Sequence, residues 1–334
     1  MKNLLVTLLM LLSFAFTNTV MAQEKASLES KDTTYWKSSF SQGLNIMQLA
    51  VINPKIGSGV NILSLGGDIS LSAIYDSDKI YWINQLNWQF GVQRLGAGKL
   101  LNGGSIPFTK SLDLLTFTSD LYIPFKPKSS LYYGGFVQFL SQGLPTFQGN
   151  LLVDNTPDNS GKVFSKLLSP AQVEIAPAIA YVSKNKKINI TYSPISYKAI
   201  IVADDSIAAL GVHGNPVERL GNEVISYENI DNQFGSFLGI VYRDAFFDKK
   251  LTLNTRLSLY SNYFNHPERI DVIWNADIGV KLFKKVQLAL KLNLLYDYDI
   301  QILQSDSNRP MAEWELGRGV NFTEQLIIRY KLVF

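Results

Sequence analysis

Hydrophobic and polar residues alternate with a period of two along much of the chain, most regularly in its last hundred residues. Residues 251–260 read LTLNTRLSLY, and residues 270–283 and 286–296 follow the same pattern on either side of a tight Lys284-Lys285 connection. Successive side chains of a β-strand point to opposite faces, so this period indicates strands. Each of these segments is predicted to be a strand with one apolar face and one hydrophilic face.

The last ten residues, QLIIRYKLVF, repeat this alternation. Counting in twos from the end puts Tyr330, Leu332 and Phe334 on an apolar face, and Arg329 and Lys331 on the opposite one. A final strand of this kind is typical of the closing strand of an outer-membrane β-barrel, in which the apolar face meets lipid and the polar face lines the lumen. Tyr330, Leu332 and Phe334 are therefore predicted to form a C-terminal membrane-insertion signal.

Twelve segments of this kind are predicted. They are residues 36–48, 61–75, 80–92, 108–123, 131–141, 171–182, 188–199, 234–245, 251–260, 270–283, 286–296 and 325–334. Short connections near residues 77, 126, 185, 248 and 284 alternate with longer ones near residues 54, 100, 155, 215, 266 and 308. The pattern predicts an all-β fold, an antiparallel transmembrane β-barrel of about 12 strands with short periplasmic turns and long extracellular loops.

Glycine and proline interrupt the pattern at a few positions. The pair Gly66-Gly67, inside residues 61–75, predicts a bulge or kink. Pro177 and Pro194 lie inside residues 171–182 and 188–199, where they cannot donate a ladder hydrogen bond. The boundaries of these two strands are therefore less well defined by the sequence than those of the later ones.

The first residues have the composition of an export signal. Met1-Lys2-Asn3 is followed by a mostly apolar stretch at residues 4–16 and by Val20-Met21-Ala22. That stretch is shorter than the ~20 residues that a spanning helix needs, which favours a cleaved secretory signal peptide at residues 1–22. A short polar segment at residues 23–35 then precedes a barrel domain at residues 36–334, and the expected location is the cell outer membrane.

Composition excludes several classes of function. The chain has no cysteine, which removes disulfides, thiolate metal sites and a cysteine nucleophile. Its 31 lysines and arginines nearly balance 28 aspartates and glutamates, so no basic field favours nucleic acid. The expected partners are outer-membrane lipid and, during insertion, the barrel-assembly machinery, and no cofactor is expected.

Short motifs along the chain carry a family resemblance. They are residues 36–45 (WKSSFSQGLN), Asp113-Leu114-Leu115, residues 132–143 (YYGGFVQFLSQG), Leu168-Ser169-Pro170, Tyr192-Ser193-Pro194 and Leu295-Tyr296-Asp297. In this order the chain resembles an uncharacterised outer-membrane β-barrel family of Bacteroidetes-type bacteria, known only as a domain of unknown function. The resemblance would extend over nearly the whole mature chain. It implies the barrel fold and the membrane location, and it supplies no catalytic residues.

Polar residues on the predicted inner face are the better candidates for function. The candidate lumen-lining residues are Asn254, Arg256, Asn275, Asp277, Lys281, Lys291, Asn293, Arg329 and Lys331. An open lumen with this excess of cations would mildly favour anions. Alternatively, these groups pair with one another and fill a small barrel. The favoured function is a passive pore or transport component for small solutes, and the main alternative is a structural or assembly barrel without an open pore.

A third reading is a lipid hydrolase of the outer membrane. The two histidines, His213 and His266, lie in predicted loops, and Ser261-Asn262 is close in sequence to His266. A nucleophilic serine needs an adjacent base, but no local signature accompanies these residues. No catalytic, cofactor-binding or metal residue is therefore assigned, and an enzymatic activity is not the favoured prediction.

Two other motifs also carry little weight. The acidic pairs Asp154/Asp158, Asp204/Asp205 and Asp297/Asp299 lack the glycine-turned spacing of a calcium loop, which favours solvated loop charge. Residues 96–99 (GAGK) resemble a phosphate loop only superficially, because the four-residue spacer and the following serine or threonine are missing.

Overall fold

Twelve antiparallel strands form a closed β-barrel in the computed structural model of the chain. The structure describes residues 35–49, 62–95, 107–148, 151–153, 161–221, 223–303 and 316–333. The barrel strands are β1 (Trp36–Leu49), β2 (Ile62–Asp76), β3 (Tyr81–Leu95), β4 (Thr109–Pro124), β5 (Leu131–Ser141), β6 (Ala171–Val182), β7 (Ile188–Ile201), β8 (Ile230–Phe246), β9 (Leu251–Asn262), β10 (Ile270–Lys281), β11 (Val286–Tyr296) and β12 (Val320–Val333). The predicted fold class is therefore confirmed.

The strands pair in chain order, and the barrel is closed between its first and last strands. β1 pairs with β12 from Ser39↔Val333 to Leu44↔Ile328. Closure leaves no free edge, so every strand has a hydrogen-bonded neighbour on both sides. The twelve predicted segments correspond to the twelve strands, although β8 begins four residues earlier than predicted and β12 five residues earlier.

Alternation along each strand separates an outer apolar surface from an inner polar one. On β12, Leu326 and Ile328 are 53% and 59% exposed, whereas Ile327 and Arg329, which alternate with them, are 1% and 6% exposed. Tyr330 also points outwards, at 40% exposure. The apolar residues thus lie on the outer wall, as a lipid-facing barrel requires. The side chains of Leu332 and Phe334 lie outside the described residues.

The two prolines and the glycine pair have different effects on the wall. The β6–β7 pairing shifts register between Ile175 and Ile179, the stretch that contains Pro177. Pro194 lies at the corresponding shift between β7 and β8. The predicted bulge at Gly66-Gly67 is wrong, because the ladders to β1 and β3 run through it without interruption. A Cβ at Gly67 would lie 2.4 Å from the carbonyl oxygen of Gly43, so glycine there permits a close approach of β1 and β2.

The long connections contain small elements of their own. Thr146–Phe147 pairs with Val163–Ser165, Val217–Leu220 pairs with Glu223–Tyr227, and Ile302–Leu303 pairs with Leu316–Gly317. A one-turn helix, Asp205–Ala208, follows β7. The described residues include no helix that is long and apolar enough to span a bilayer. The predicted signal peptide at residues 1–22 lies outside the described residues.

Candidate functional site

The barrel lumen contains a polar cavity of about 140 Å³, counted as the space open to the centres of water-sized spheres. On this measure one water needs ~10–15 Å³, so the cavity has room for several. Eight charged side chains line it: Glu174, Lys198, Arg243, Arg256, Asp271, Asp277, Lys291 and Asp297. They come from strands β6 to β11 and from the residue after β11. They point into the lumen because inward positions alternate with lipid-facing ones along each strand.

A bidentate ion pair crosses the lumen. Asp120 on β4 and Arg256 on β9 are five strands apart in the twelve-stranded wall, and therefore lie on nearly opposite sides. The two guanidinium nitrogens of Arg256 donate to the carboxylate of Asp120 at 3.0 and 3.3 Å. A fork-to-carboxylate pair of this type is among the stronger side-chain contacts and fixes both partners in one geometry. Together the two side chains obstruct the barrel at this level.

A second cluster joins β2, β10, β11 and β12. The ammonium of Lys291 lies 3.0 Å from the carboxylate of Asp68, and Arg329 donates to both carboxylate oxygens of Asp277 at 2.9 and 2.7 Å. Arg329 also lies 3.4 Å from Asp68, whose side chain is fully buried. Gly43 makes room for Asp68, because a Cβ there would lie 2.1 Å from its carboxylate. The two cations and two acids balance each other in charge.

Amide side chains fill the space beside this cluster. Gln89 on β3 and Asn293 on β11 exchange two hydrogen bonds across the lumen, at 3.3 and 3.1 Å. Asn275 donates to Asn293 at 2.9 Å, and Asn293 donates to Thr323 at 3.0 Å. Neutral partners of this kind satisfy buried polar groups without adding charge.

A third charged cluster lies nearer the end with the long loops. Lys198 on β7 is 4% exposed and bonds to Asp271 at 2.7 Å and to Asp297 at 3.1 Å. Glu174 accepts a hydrogen bond from Ser196 at 2.6 Å, and none of the described cations forms an ion pair with it. Carboxylates outnumber cations here, so this part of the lumen is negatively charged overall.

Arg243 on β8 has a different environment. Its guanidinium donates to Asn254 at 3.1 Å and to Gln85, on the opposite wall, at 3.3 Å. Both partners are neutral amides, and no described carboxylate lies within ion-pair distance of it. At the level of Arg243 and Arg256, two cations therefore face a single carboxylate, that of Asp120. One positive charge is left without a neutralising partner among the described residues.

Further contacts are formed at both ends of the barrel. At the short-turn end, five buried side chains pack together: Tyr81, Ile83, Tyr122, Ala180 and Val182. At the long-loop end, the segment after the one-turn helix reaches towards the residues that follow β11, where the amide of Gln301 donates to the carbonyl of Val212 at 3.2 Å. In the same segment, a Cβ at Gly214 would lie 3.1 Å from Ile200 of β7 and 3.7 Å from the carbonyl of Asp299. The segment thus connects β7 with the loop after β11.

Most of the predicted lumen-lining residues lie together inside the barrel. Asn254, Arg256, Asn275, Asp277, Lys291 and Asn293 line the cavity, and Arg329 bonds to Asp277 beside it. Lys281 is exposed at the short-turn end, and its backbone partner is Gln287. Lys331 pairs through its backbone with Ser41, and its side chain is outside the described residues.

Sequence reasoning missed several residues that complete these pairs. Asp68 and Asp120 are the carboxylate partners of the predicted cations, and Glu174, Lys198 and Arg243 also line the cavity. Asp120 continues the two-residue period of Thr116 and Thr118, opposite Leu115, Phe117 and Leu121, and this pattern could have identified it. Asp68 shares the alternation of Ser70 and Ser72 with apolar neighbours, so the same reasoning could have identified it.

The residues considered for a hydrolase are not assembled into a nucleophile. The hydroxyl of Ser261 donates to the carbonyl of Pro267 at 2.7 Å, while Nδ1 of His266 lies 2.9 Å from the carboxylate of Glu268. A serine nucleophile requires its hydroxyl to donate to the base, and this contact is not formed.

Asp204 accepts from the amides of Ser206 and Ile207, so it caps the one-turn helix. Hydrogen bonds from Lys166 and Ser206 lower the pKa of Asp204.

Acidification is expected to loosen the segment that carries His213. Its Nε2 donates to the carbonyl of Phe164 at 2.8 Å, and burial lowers the pKa of His213 below its usual value of 6.5. His213 therefore binds a proton more readily when the segment is open than when it is closed. The contribution of His213 to the stability of the closed segment is complete above pH 6.5 and is lost as the pH falls towards the lowered pKa. Hydrogen-exchange protection of residues 210–215 should decrease between pH 7.5 and pH 5.5.

The His213→Gln variant is the control, because its amide can still donate to Phe164 but does not titrate in this range. Protection factors, which correct for intrinsic exchange, should then be independent of pH. An equal decrease in both proteins would show that another group causes it.

Part of the chain matches a protein family of unknown function. Residues 46–147 match the model of a family described as "Protein of unknown function (DUF3078)", and this segment contains two of the motifs on which the resemblance was based. The resemblance is confirmed for this segment, whereas it was expected over nearly the whole mature chain. No curated protein sequence matches the chain.

Three solved barrels are similar in architecture. An outer-membrane channel from Pseudomonas putida F1 has 16% identity and a TM-score of 0.36, over 92% of this chain and all of the other. The translocator domain of the autotransporter NalP from Neisseria meningitidis has 7% identity and a TM-score of 0.34, over 95% and 97% of the two chains. A mutant of TodX, a monoaromatic hydrocarbon channel, has 8% identity and a TM-score of 0.31, over 89% of each chain.

Proposed function

We propose that this protein is an outer-membrane β-barrel that acts as a gated channel for small polar solutes. The observation that carries the proposal is a polar cavity inside a closed wall, which paired side chains of the described residues cross. The continuous hydrogen-bonded wall and its apolar outer surface support insertion in a bilayer, where unpaired backbone groups would cost several kcal/mol each. Export through a cleaved signal and insertion by the barrel-assembly machinery remain predictions.

The ion pairs support a channel that is closed at rest. Asp120 and Arg256 meet from nearly opposite sides of the barrel, and Lys291 bonds to Asp68 across three strands. A solute that crosses the lumen has to displace at least one of these pairs. Because these bridges are made by side chains, rotamer changes can open them without moving the barrel wall.

The polar lining supports transport over a purely structural role. Burying charges is costly even when they are paired, and apolar residues of similar volume would often stabilise a barrel core at least as well. The structural alternative has two observations in its favour, the mutual pairing of the inner charges and the apolar cluster around Tyr122 at the short-turn end.

Planar-bilayer recordings of the refolded full-length protein test the proposal. We expect a channel that is closed for most of the record, with brief openings, because thermal displacement of the ion pairs opens the lumen only transiently. A steady open conductance would show that the pairs do not close the lumen, and the passive pore would then be correct. Inserted protein that stays silent at all voltages would favour the structural barrel.

A further inference from the structure

Lysine is concentrated in the short turns of the barrel. Five turns connect strands at this end, and they comprise residues 77–80, 125–130, 183–187, 247–250 and 282–285. Together they contain ten lysines and only two aspartates, Asp78 and Asp248. The lysines are Lys79, Lys126, Lys128, Lys184, Lys186, Lys187, Lys249, Lys250, Lys284 and Lys285. All five turns lie within the described residues, so this count covers the complete set.

Within the described part of the chain, eight of these ten lysines form no ion pair. Lys186 forms an ion pair with Asp76, and Lys187 forms one with Asp244. For the other eight, no ion pair is formed with any carboxylate of the described residues, and all eight are exposed. Unpaired like charges at one end of a molecule repel each other, so an anionic partner would relieve this repulsion.

Exposed phenylalanines accompany the lysines in three of the turns. Phe125, Phe247 and Phe283 are 58%, 75% and 71% exposed, and each lies within two residues of a lysine. On the outer wall at this end, the ring of Trp36 packs against Tyr75 and Trp82, with centroids 5.2 and 5.7 Å apart. Aromatic rings of this kind are typical of the level of lipid headgroups.

One of the long connections at the opposite end of the barrel has the reverse charge. The connection from residue 202 to residue 229 contains five acids and one arginine, Arg219. The acids are Asp204, Asp205, Glu218, Glu223 and Glu228. The excess of lysine over acidic residues in the short turns is thus local. It does not reflect the composition of the whole chain, which is nearly balanced in charge.

We propose that the short turns form a binding surface for anionic phospholipid headgroups in the membrane leaflet at that end. The lysine ammonium groups bond to lipid phosphates, while the three phenylalanine rings enter the boundary of the acyl chains. An acidic protein partner would satisfy the lysines but would not account for a phenylalanine beside them in three separate turns. A lipid surface accounts for both features.

Quenching of tryptophan fluorescence by brominated lipid measures the preference of the barrel for anionic over zwitterionic lipid. The full-length barrel is refolded into vesicles of phosphatidylcholine mixed with brominated phosphatidylglycerol or with brominated phosphatidylcholine. Trp36 and Trp82, exposed at this end, report contact with the lipid. We expect binding of phosphatidylglycerol to be favoured severalfold over phosphatidylcholine, and the preference to fall towards one in high salt, which screens exposed charges.

Variants of the turns locate the effect. Lys284→Gln with Lys285→Gln should reduce the preference, and Phe283→Ala should weaken contact with both lipids. Lys162→Gln with Arg269→Gln, two cations at the long-loop end, is the matched control and should leave the preference unchanged.

Equal binding of the two lipids by the unmodified protein would overturn the proposal, as would an unchanged preference in the lysine variant. Insertion into pure phosphatidylcholine, followed by heat-modifiable gel mobility, tests the membrane fold separately. The salt dependence tests the surface without any substitution.

Discussion

The Asp68→Ala variant is expected to lose about 3 kcal/mol of unfolding free energy, at the low end of the range for breaking a buried ion pair. The Asp68 side chain is fully buried, and Lys291 and Arg329, its partners at 3.0 and 3.4 Å, are themselves 4% and 6% exposed. Truncation leaves both cations in the lumen with only Asp277 to neutralise them. The low end applies because Asp277 still bonds to Arg329 and lies 3.8 Å from Lys291.

Urea unfolding of the refolded barrel, followed by tryptophan fluorescence and gel mobility, measures this loss. Asp78→Ala is the matched control, because Asp78 is exposed in a turn and its removal should change stability by less than about 0.5 kcal/mol. Adding Lys291→Met to Asp68→Ala should restore part of the stability, since it removes one of the cations left unpaired. Equal stability of the Asp68 and Asp78 variants would show that the charge of Asp68 is not needed.

Strand positions were readable from the sequence because a barrel wall imposes one rule on every strand. Lipid on one side and a polar lumen on the other require strict alternation, which residues 251–260 and 286–296 follow. The rule fails where a strand approaches its neighbour closely. Gly67 is needed for the distance between β1 and β2, and its neighbours keep their register, so the bulge expected there does not form.

Which inward residues meet across the lumen was not readable from the sequence. Alternation assigns Arg256 to the inner face, but its contact with Asp120 depends on the tilt and stagger of strands that are 136 residues apart in sequence. The same holds for Lys291 and Asp68. The two readings of the inner charges, an open lumen and a set of mutual pairs, therefore could not be separated until the structure showed the pairs.

Charge balance differs between levels of the lumen, and this has a consequence for ion selectivity. The cluster of Lys291, Arg329, Asp68 and Asp277 is balanced, whereas Lys198 is outnumbered by Asp271, Asp297 and Glu174. Arg243 and Arg256 together exceed Asp120 by one charge. An ion that passes through the lumen would meet a negative level and a positive level in turn, so neither sign is favoured throughout, in contrast to the mild anion preference expected from counting side chains.

Removal of the ion pair between Asp120 and Arg256 should open the channel. In the Asp120→Ala/Arg256→Ala double variant, no bridge joins β4 and β9, and we expect the time-averaged conductance in planar bilayers to rise at least severalfold over the unmodified protein. Lys187→Ala with Asp244→Ala is the control: it deletes an ion pair of 2.7 Å at the short-turn end, and its conductance should be unchanged.

The single variants test the same bridge through selectivity. Asp120→Ala leaves Arg243 and Arg256 without a carboxylate partner at this level, so its openings should favour anions. Arg256→Ala leaves Asp120 opposite Arg243 and should shift the reversal potential in a KCl gradient towards cations, relative to Asp120→Ala. Opposite shifts from two residues that form one bridge would place the permeation path between them. Equal reversal potentials, or a double variant that conducts no better than the unmodified protein, would show that ions do not pass this level of the barrel.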